Sequence, residues 1–181
     1  MVFMKIVEKI ISNFTNNKSL YIGEKVTMSE HMLQSAMLAE KAKCTDDLVC
    51  SCLLHDYGHF LLDDPGELVK NNLDGEHEEI GYRYLKKYFK VEIIEPIKNH
   101  VLAKRYLARS KKYYNLLSKA SRTSLKIQGG ILDNAESKRF EKDKFFSSSI
   151  LLRKFDEAAK KTNIKMKSIY DYKKLIEAKI K

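Results

Sequence analysis

Cys52-Leu53-Leu54-His55-Asp56-Tyr57-Gly58-His59 is the stretch that decides how this chain folds and where its chemistry lies. An apolar run ends there on a histidine–aspartate pair, so both polar side chains fall at the boundary of a core. A carboxylate at such a place is costly to bury unless it is paired or bound to a metal. With a histidine beside it, a metal is the economical partner. Upstream, Thr45 suits the cap of a helix with Asp46 and Asp47 in its first turn. That helix carries Leu48, Val49, Cys52 and Leu53 towards the pair and includes His55 and Asp56. Downstream, Asp63-Asp64-Pro65-Gly66 breaks the pattern, and a polar connection reaches Gly75.

Helical spacing of apolar residues recurs through the rest of the chain. Phe3, Ile6, Val7, Ile10, Ile11 and Phe14 make one face of a first helix, ended by Asn16-Asn17-Lys18-Ser19. A second helix is predicted from Thr27–Ser29 to Lys43, with Met28, Met32, Ser35 and Ala39 inward. Others are predicted at His77–Phe89, Pro96–Arg109, Lys144–Lys160 and Ser168–Ile180. Residues 110–139, which include Gly129-Gly130, read as less regular. There is no strand-like alternation, internal repeat or low-complexity tract. The predicted class is all-α, a helical bundle forming one domain over 1–181. Its motifs fall within 20–160, and residues 161–181 read as a helical tail that carries none of them.

With 181 residues, 44% of them hydrophobic and 32% charged, the chain fits one ordinary globular domain. No run approaches the roughly 20 apolar residues of a membrane span. The opening Met1–Lys9 carries charges at helical spacing and no small-residue cleavage site, so a cytoplasmic protein is expected, without a membrane partner. Cys44, Cys50 and Cys52 are too few and too close for a disulfide framework and read as reduced thiols. Cys50-x-Cys52 also lacks the two-residue gap of a zinc knuckle. A net charge of +10 fits nucleic acid, an anionic small substrate, or a solvated lysine-rich surface. The lysines are scattered over the whole chain, which favours the last. Lys104 to Lys126 interleaves Arg105, Tyr106, Arg109, Lys111, Lys112, Tyr113 and Tyr114, the best stretch for a nucleic-acid-binding module. That reading leaves the histidines unexplained, and no nucleic-acid partner is expected.

All five histidines, His31, His55, His59, His77 and His100, fall between residues 31 and 100. The order His31, His55-Asp56 and a distant Asp156 resembles the signature of HD-domain metalloproteins. His77 and His100 fall between the doublet and the last aspartate. Six groups are too many for one ion that must keep positions open for chemistry. Two ions use them all if Asp56 bridges, with His31, His55 and Asp156 on one and His77 and His100 on the other. Mixed imidazole and carboxylate ligands suit iron, manganese or zinc.

The resemblance extends further. Tyr21-Ile-Gly-Glu24 before the His31 helix, His55-Asp56-Tyr-Gly-His59, Gly75-Glu-His77, His100-Val-Leu-Ala-Lys104, Ser121-Arg-Thr-Ser124 leading to Gln128-Gly-Gly130, and Arg153-Lys-Phe-Asp156 are similar to the oxidative organophosphonate-cleaving enzymes of the PhnZ type. That resemblance implies a mixed-valence di-iron centre and dioxygen as co-substrate. It implies cleavage of the carbon–phosphorus bond of a 1-hydroxyalkylphosphonate to phosphate and a carboxylate, such as glycine or formate. It implies that Tyr21 occupies an iron site until substrate arrives and that Glu24 meets a substrate amine. A small organophosphonate is then the partner, an upstream phosphonate hydroxylase supplies it, and a monomer or weak homodimer is expected.

Elementary chemistry agrees at several positions. Lys104 lies one helical turn after His100, and Arg153 lies three residues before Asp156, so each places a cation beside a metal ligand. A dianionic ligand resolves that conflict of charge. His59, one turn after His55, could face the substrate, and Ser121 and Ser124 could donate to phosphonate oxygens. Asp56, His59 and Lys104 are the catalytic candidates. The competing expectation is an HD-type phosphohydrolase, in which two divalent ions activate water against a phosphate ester or nucleotide.

Overall fold

The computed structural model describes residues 2–21, 23–62, 67, 71 and 73–181. Helix α1 (Val2–Asn16) buries Ile6, Val7, Ile10, Ile11 and Phe14, the face read from the sequence; the side chain of Phe3 lies outside the described residues. Helix α2 (Met28–Lys41) is opened by a capping box: Glu30 N–H donates to Thr27 Oγ1 at 3.1 Å, and Thr27 N–H donates to Glu30 Oε2 at 2.7 Å. Met28, Met32, Ser35 and Ala39 all face inward, as expected. Helix α3 (Asp46–Leu54) is capped by Thr45. It ends sooner than the sequence suggested. His55 is its C-cap and Asp56 precedes a 3₁₀ turn, Tyr57–Leu61. The chain leaves the α-helix at the polar pair, and Asp56 is buried there.

Helix α4 (His77–Leu85) starts at its histidine and stops before Phe89, which is buried. Helix α5 (Val91–Leu107) begins five residues before the expected start at Pro96. Proline removes one backbone hydrogen bond and disfavours a helical residue before it. Here burial wins: Ile93, Ile94 and Ile97, on the helix that runs through the proline, are at most 6% exposed. The irregular stretch resolves into three short helices, α6 (Lys111–Leu116), α7 (Lys119–Ile127) and α8 (Asn134–Glu141). Helix α9 (Phe146–Ala158) follows, then a 3₁₀ turn at Ile169–Tyr172 and α10 (Lys173–Lys179). Among the described residues there is no strand; extended pairing is confined to two isolated antiparallel bridges, Leu20–Thr27 and Phe89–Ile180. The break expected at residues 63–66 lies outside the described residues.

Helices α2, α3, α5 and α9 pack on one another, with α4 against α5 and against the 3₁₀ turn. They share one core that also takes in Ile169, Tyr172 and Ile176, so the tail packs on the bundle. The tail is tied down near its start too: Gln34 Nε2 donates to the Lys161 carbonyl at 2.8 Å, and Lys161 N–H donates to Gln34 Oε1 at 3.0 Å. No helix is long and apolar enough to cross a membrane among the described residues. Cys50 and Cys52 are buried free thiols, pushed up by burial, Cys50 to about 12.

The 3₁₀ turn and α4 approach each other closely through Gly58. A methyl group on Gly58 would stand 1.9 Å from the His77 carbonyl oxygen and 2.9 Å from Gly81 nitrogen. Gly58→Ala must therefore push the start of α4 away, an overpacking cost of about 1–3 kcal/mol or more. In a chain of this size the melting temperature should fall by roughly 2–4 °C per kcal/mol. Because His77 opens α4, the variant should also displace the His77 imidazole; a thermal melt unchanged from wild type would contradict the contact.

Candidate metal centre

Six polar side chains meet where α2, α3, α4, α5 and α9 converge, and all are at most 8% exposed: His31, His55, Asp56, His77, His100 and Asp156. Asp56 sits in the middle and divides the histidines between its two oxygens. Oδ2 lies 3.5 Å from His31 Nε2 and 3.4 Å from His55 Nε2. Oδ1 lies 3.2 Å from His77 Nε2 and 3.4 Å from His100 Nε2. Asp156 joins the first pair, its Oδ1 3.3 Å from His31 Nε2 and its Oδ2 3.9 Å from His55 Nε2.

The far side of the rings explains why the ε nitrogens point together. His31 Nδ1 is 2.9 Å from the Ala159 carbonyl, His55 Nδ1 2.9 Å from that of Cys52, and His100 Nδ1 2.6 Å from that of Ile97. Each carbonyl accepts from Nδ1–H and so leaves Nε2 with a lone pair. The lone pairs then face each other: His31 and His55 Nε2 are 3.2 Å apart, and His77 and His100 Nε2 3.0 Å apart. Two ligands about 2.1 Å from one ion and at right angles stand about 3 Å apart. Asp56 Oδ2 and Asp156 Oδ1 are buried and make no hydrogen bond. Orphaned carboxylate oxygens facing converging imidazoles are what a metal ion would satisfy, so the residues fit two ions, with Asp56 shared.

The electrostatics agree. Burial pushes the Asp56 carboxyl up, but His55 first, and then His100 and His31 beside it, hold it well below the usual carboxylate range. Burial likewise opposes Asp156, and Arg153, His31 and His55 hold it low. Burial pushes His31 down, yet Asp156 and Asp56 raise it to about 9. A positive charge is thus stabilised between these two carboxylates. Burial and then the neighbouring His77 push His59 well down, so it is a neutral imidazole. Its ring stacks on His77 with centroids 4.1 Å apart, and its buried Nδ1 has no hydrogen-bond partner.

A cavity of about 320 Å³ opens above these groups, lined by Tyr21, Glu24, His59, Lys104, Ser121, Ser124 and Arg153 as well as by four of the six ligand candidates. Every substrate-facing residue expected from the sequence therefore lies at one site. Tyr21 stacks on the His31 ring at 3.9 Å. Lys104 is 4% exposed, its ammonium donates to Ser124 Oγ at 2.9 Å, and among the described residues no carboxylate comes within ion-pair distance of it. Burial, and then the Arg153 charge, lower it to about 7. Arg153 is more fully engaged than the sequence indicated: Nε donates to Tyr113 Oη at 2.9 Å, while its two end nitrogens pair with Asp156 and Glu157. Ser121 Oγ donates to Glu157 Oε2 at 2.9 Å, and Ser118 Oγ donates to Glu24 Oε1 at 2.6 Å. Glu157, Lys160 and Ser118 were not singled out in the sequence, and Tyr113 was read there only as part of the basic stretch. The i, i+4 spacing of Arg153 and Glu157 and the i, i+3 spacing of Glu157 and Lys160 were a signal for two of them.

The interleaved basic stretch does not form one face. Lys104 points into the cavity, while Arg105 donates to the Gly130 carbonyl and pairs with Glu136, and Arg109 donates to Asn134. These side chains pin the loop between α7 and α8.

An all-helical bundle whose buried histidines and aspartates converge in this order defines an HD-domain metal centre, and the sequence pattern of the HD domain matches residues 28–138. The chain belongs to the HD-domain family. Within it, the chain is 38% identical over 162 residues to hydroxymethylphosphonate dioxygenase of Gimesia maris, covering 87% of this chain and 80% of that protein. It is 38% identical over 158 residues to the glycine-betaine-forming [1-hydroxy-2-(trimethylamino)ethyl]phosphonate dioxygenase of Leisingera caerulea, covering 87% and 81%. An uncharacterised protein, L432, of Acanthamoeba polyphaga mimivirus is 36% identical over 182 residues, covering 94% of this chain and 83% of its own. The similarity to the two dioxygenases sets the chain in the PhnZ-type oxygenase branch of the family.

Proposed function

We propose that this chain cleaves the carbon–phosphorus bond of a 1-hydroxyalkylphosphonate with dioxygen, releasing phosphate and a carboxylate. The observation that carries the reading is the division of Asp56 between two histidine pairs beneath a cavity that holds the unpaired Lys104 cation. Two iron ions in a mixed-valence state, held by His31, His55, Asp156 and Asp56 on one side and by His77, His100 and Asp56 on the other, would supply dioxygen activation and removal of the C1 hydrogen. The protein does the rest. Lys104 binds the phosphonate, with Ser124 beside it, and Arg153 adds positive potential while it fixes Asp156. The neutral His59, on the cavity wall, accepts the proton of the C1 hydroxyl, and Tyr21 covers the first site until substrate enters. Ser121 holds the wall on which the phosphonate rests. The whole chain acts as one domain in the cytoplasm, as a monomer or weak homodimer, and takes its substrate from an upstream phosphonate hydroxylase.

The test is anaerobic purification, metal analysis, and phosphate release from a panel of 1-hydroxyphosphonates when oxygen is admitted. Two irons per chain and oxygen-dependent phosphate release are expected. Phosphate release from a phosphate ester without oxygen would replace this reading by the phosphohydrolase.

Lys104 gives the reaction a pH signature. A lysine lowered to about 7 is charged below that pH and neutral above it. The Michaelis constant should be flat below about pH 7 and rise towards tenfold per unit above it, because only the ammonium binds the anion. Lys104→Arg keeps its charge through this range and should remove that limb of the profile. An alkaline limb that persists in Lys104→Arg would assign it to another group.

A further inference from the structure

The carboxylate of Glu24, on the cavity wall, already has a cation. Lys160 Nζ lies 3.3 Å from Glu24 Oε1 and 2.9 Å from Glu157 Oε1, and it donates to Ser121 Oγ at 2.8 Å and to Ser118 Oγ at 3.2 Å. It also stands 5.9 Å from the centre of the Tyr21 ring. Glu24, Tyr21 and Ser121 line the cavity, whereas Lys160 stands behind them, mostly buried. One ammonium thus joins three parts of the chain: the loop before α2, the start of α7 and the end of α9. Without it, Glu157 would keep its pair with Arg153, but Glu24 would lose its one ion pair among the described residues.

We propose that Lys160 determines whether this protein prefers hydroxyphosphonates with or without a positive charge on the C1 substituent. The inference rests on the hydroxyphosphonate reading above. Lys160 occupies the electrostatic place that a substrate ammonium would take at Glu24. A cationic substituent must compete with it, while a bare phosphonate gains from its positive potential. Lys160 does not touch the substrate; it is a positioning residue that acts through Glu24.

The test uses metal-loaded enzyme, kept anaerobic for calorimetric Kd values and then given oxygen for kcat/KM. The ligands are 2-amino-1-hydroxyethylphosphonate and hydroxymethylphosphonate. In K160M the preference for the amino ligand over the bare one should rise at least about tenfold, through Kd and KM rather than kcat, because one close cation no longer opposes the ammonium. K160R should stay within about threefold of wild type. In E24Q/K160M the preference should return towards wild type, since the carboxylate that Lys160 acts through is gone. An unchanged or lowered preference in K160M that melts like wild type would overturn the inference, as would K160R shifting as far as K160M. A shifted Kd ratio without any oxygen-dependent turnover would sink the oxygenase reading and leave this one standing.

Discussion

Asp56→Ala is expected to strip the protein of both metal ions and of all turnover. Its two oxygens each face a different pair of imidazoles, at 3.2–3.5 Å, so in the proposed two-ion arrangement one substitution would empty a position in both coordination sets. The carboxylate also brings the charge. With Asp56 gone, the second site would be left with two imidazoles and no anion, too little to hold a divalent ion. Removal of a mere outer partner of a metal ligand costs about 10–100-fold in affinity, and the loss here should be larger. His77→Ala or His100→Ala should weaken one ion more than the other, because Asp156, His31 and His55 remain. Iron per chain, measured with activity on the same samples, checks this. Two ions retained by Asp56→Ala, or a fully active enzyme with one, would end the two-ion assignment.

The cluster of six side chains was legible in the sequence because several of its members had a local cause. His55 and Asp56 end an apolar run, His31 follows the inward positions of α2, and His100 and Lys104 are one turn apart and both at most 4% exposed. The grouping of two histidines to each oxygen of Asp56 also followed, since only a shared carboxylate satisfies all six groups. What the sequence did not reveal was set by tertiary packing. The carbonyls of Ala159, Cys52 and Ile97 that orient the rings belong to no motif, because any residue type supplies a carbonyl. The helix through Pro96 was hidden because a local penalty was overruled by burial of isoleucines on both sides of it. Lys160 was lost among 34 basic residues, and only its contacts with Glu24 and Glu157 set it apart.

Lys104→Met should make the protein worse at its chemistry and more stable at the same time. An ammonium that is 4% exposed and has no carboxylate partner is held at a cost. Burial and the Arg153 charge lower Lys104 from its ordinary value to about 7, so between that pH and the ordinary lysine range the unfolded chain binds more protons than the folded one. Stability should therefore rise with pH across that window in wild type, and the cost at neutral pH is on the order of a few kcal/mol. Methionine keeps most of the volume without the charge. It should raise the melting temperature of the substrate-free protein and flatten the pH dependence between 7 and the alkaline range. The function should move the other way. Loss of a charge-assisted contact to a desolvated anion costs roughly 2–5 kcal/mol, or about thirtyfold to several-thousandfold in kcat/KM, carried mainly by KM. Iron content should stay near two, because Lys104 approaches the centre without being a ligand. Differential scanning calorimetry from pH 7 to 10, metal analysis and steady-state kinetics on one preparation separate these effects. A variant with unchanged kinetics would return Lys104 to the role of a buried structural lysine. One that melts lower than wild type would show that its bond to Ser124 outweighs the burial of its charge.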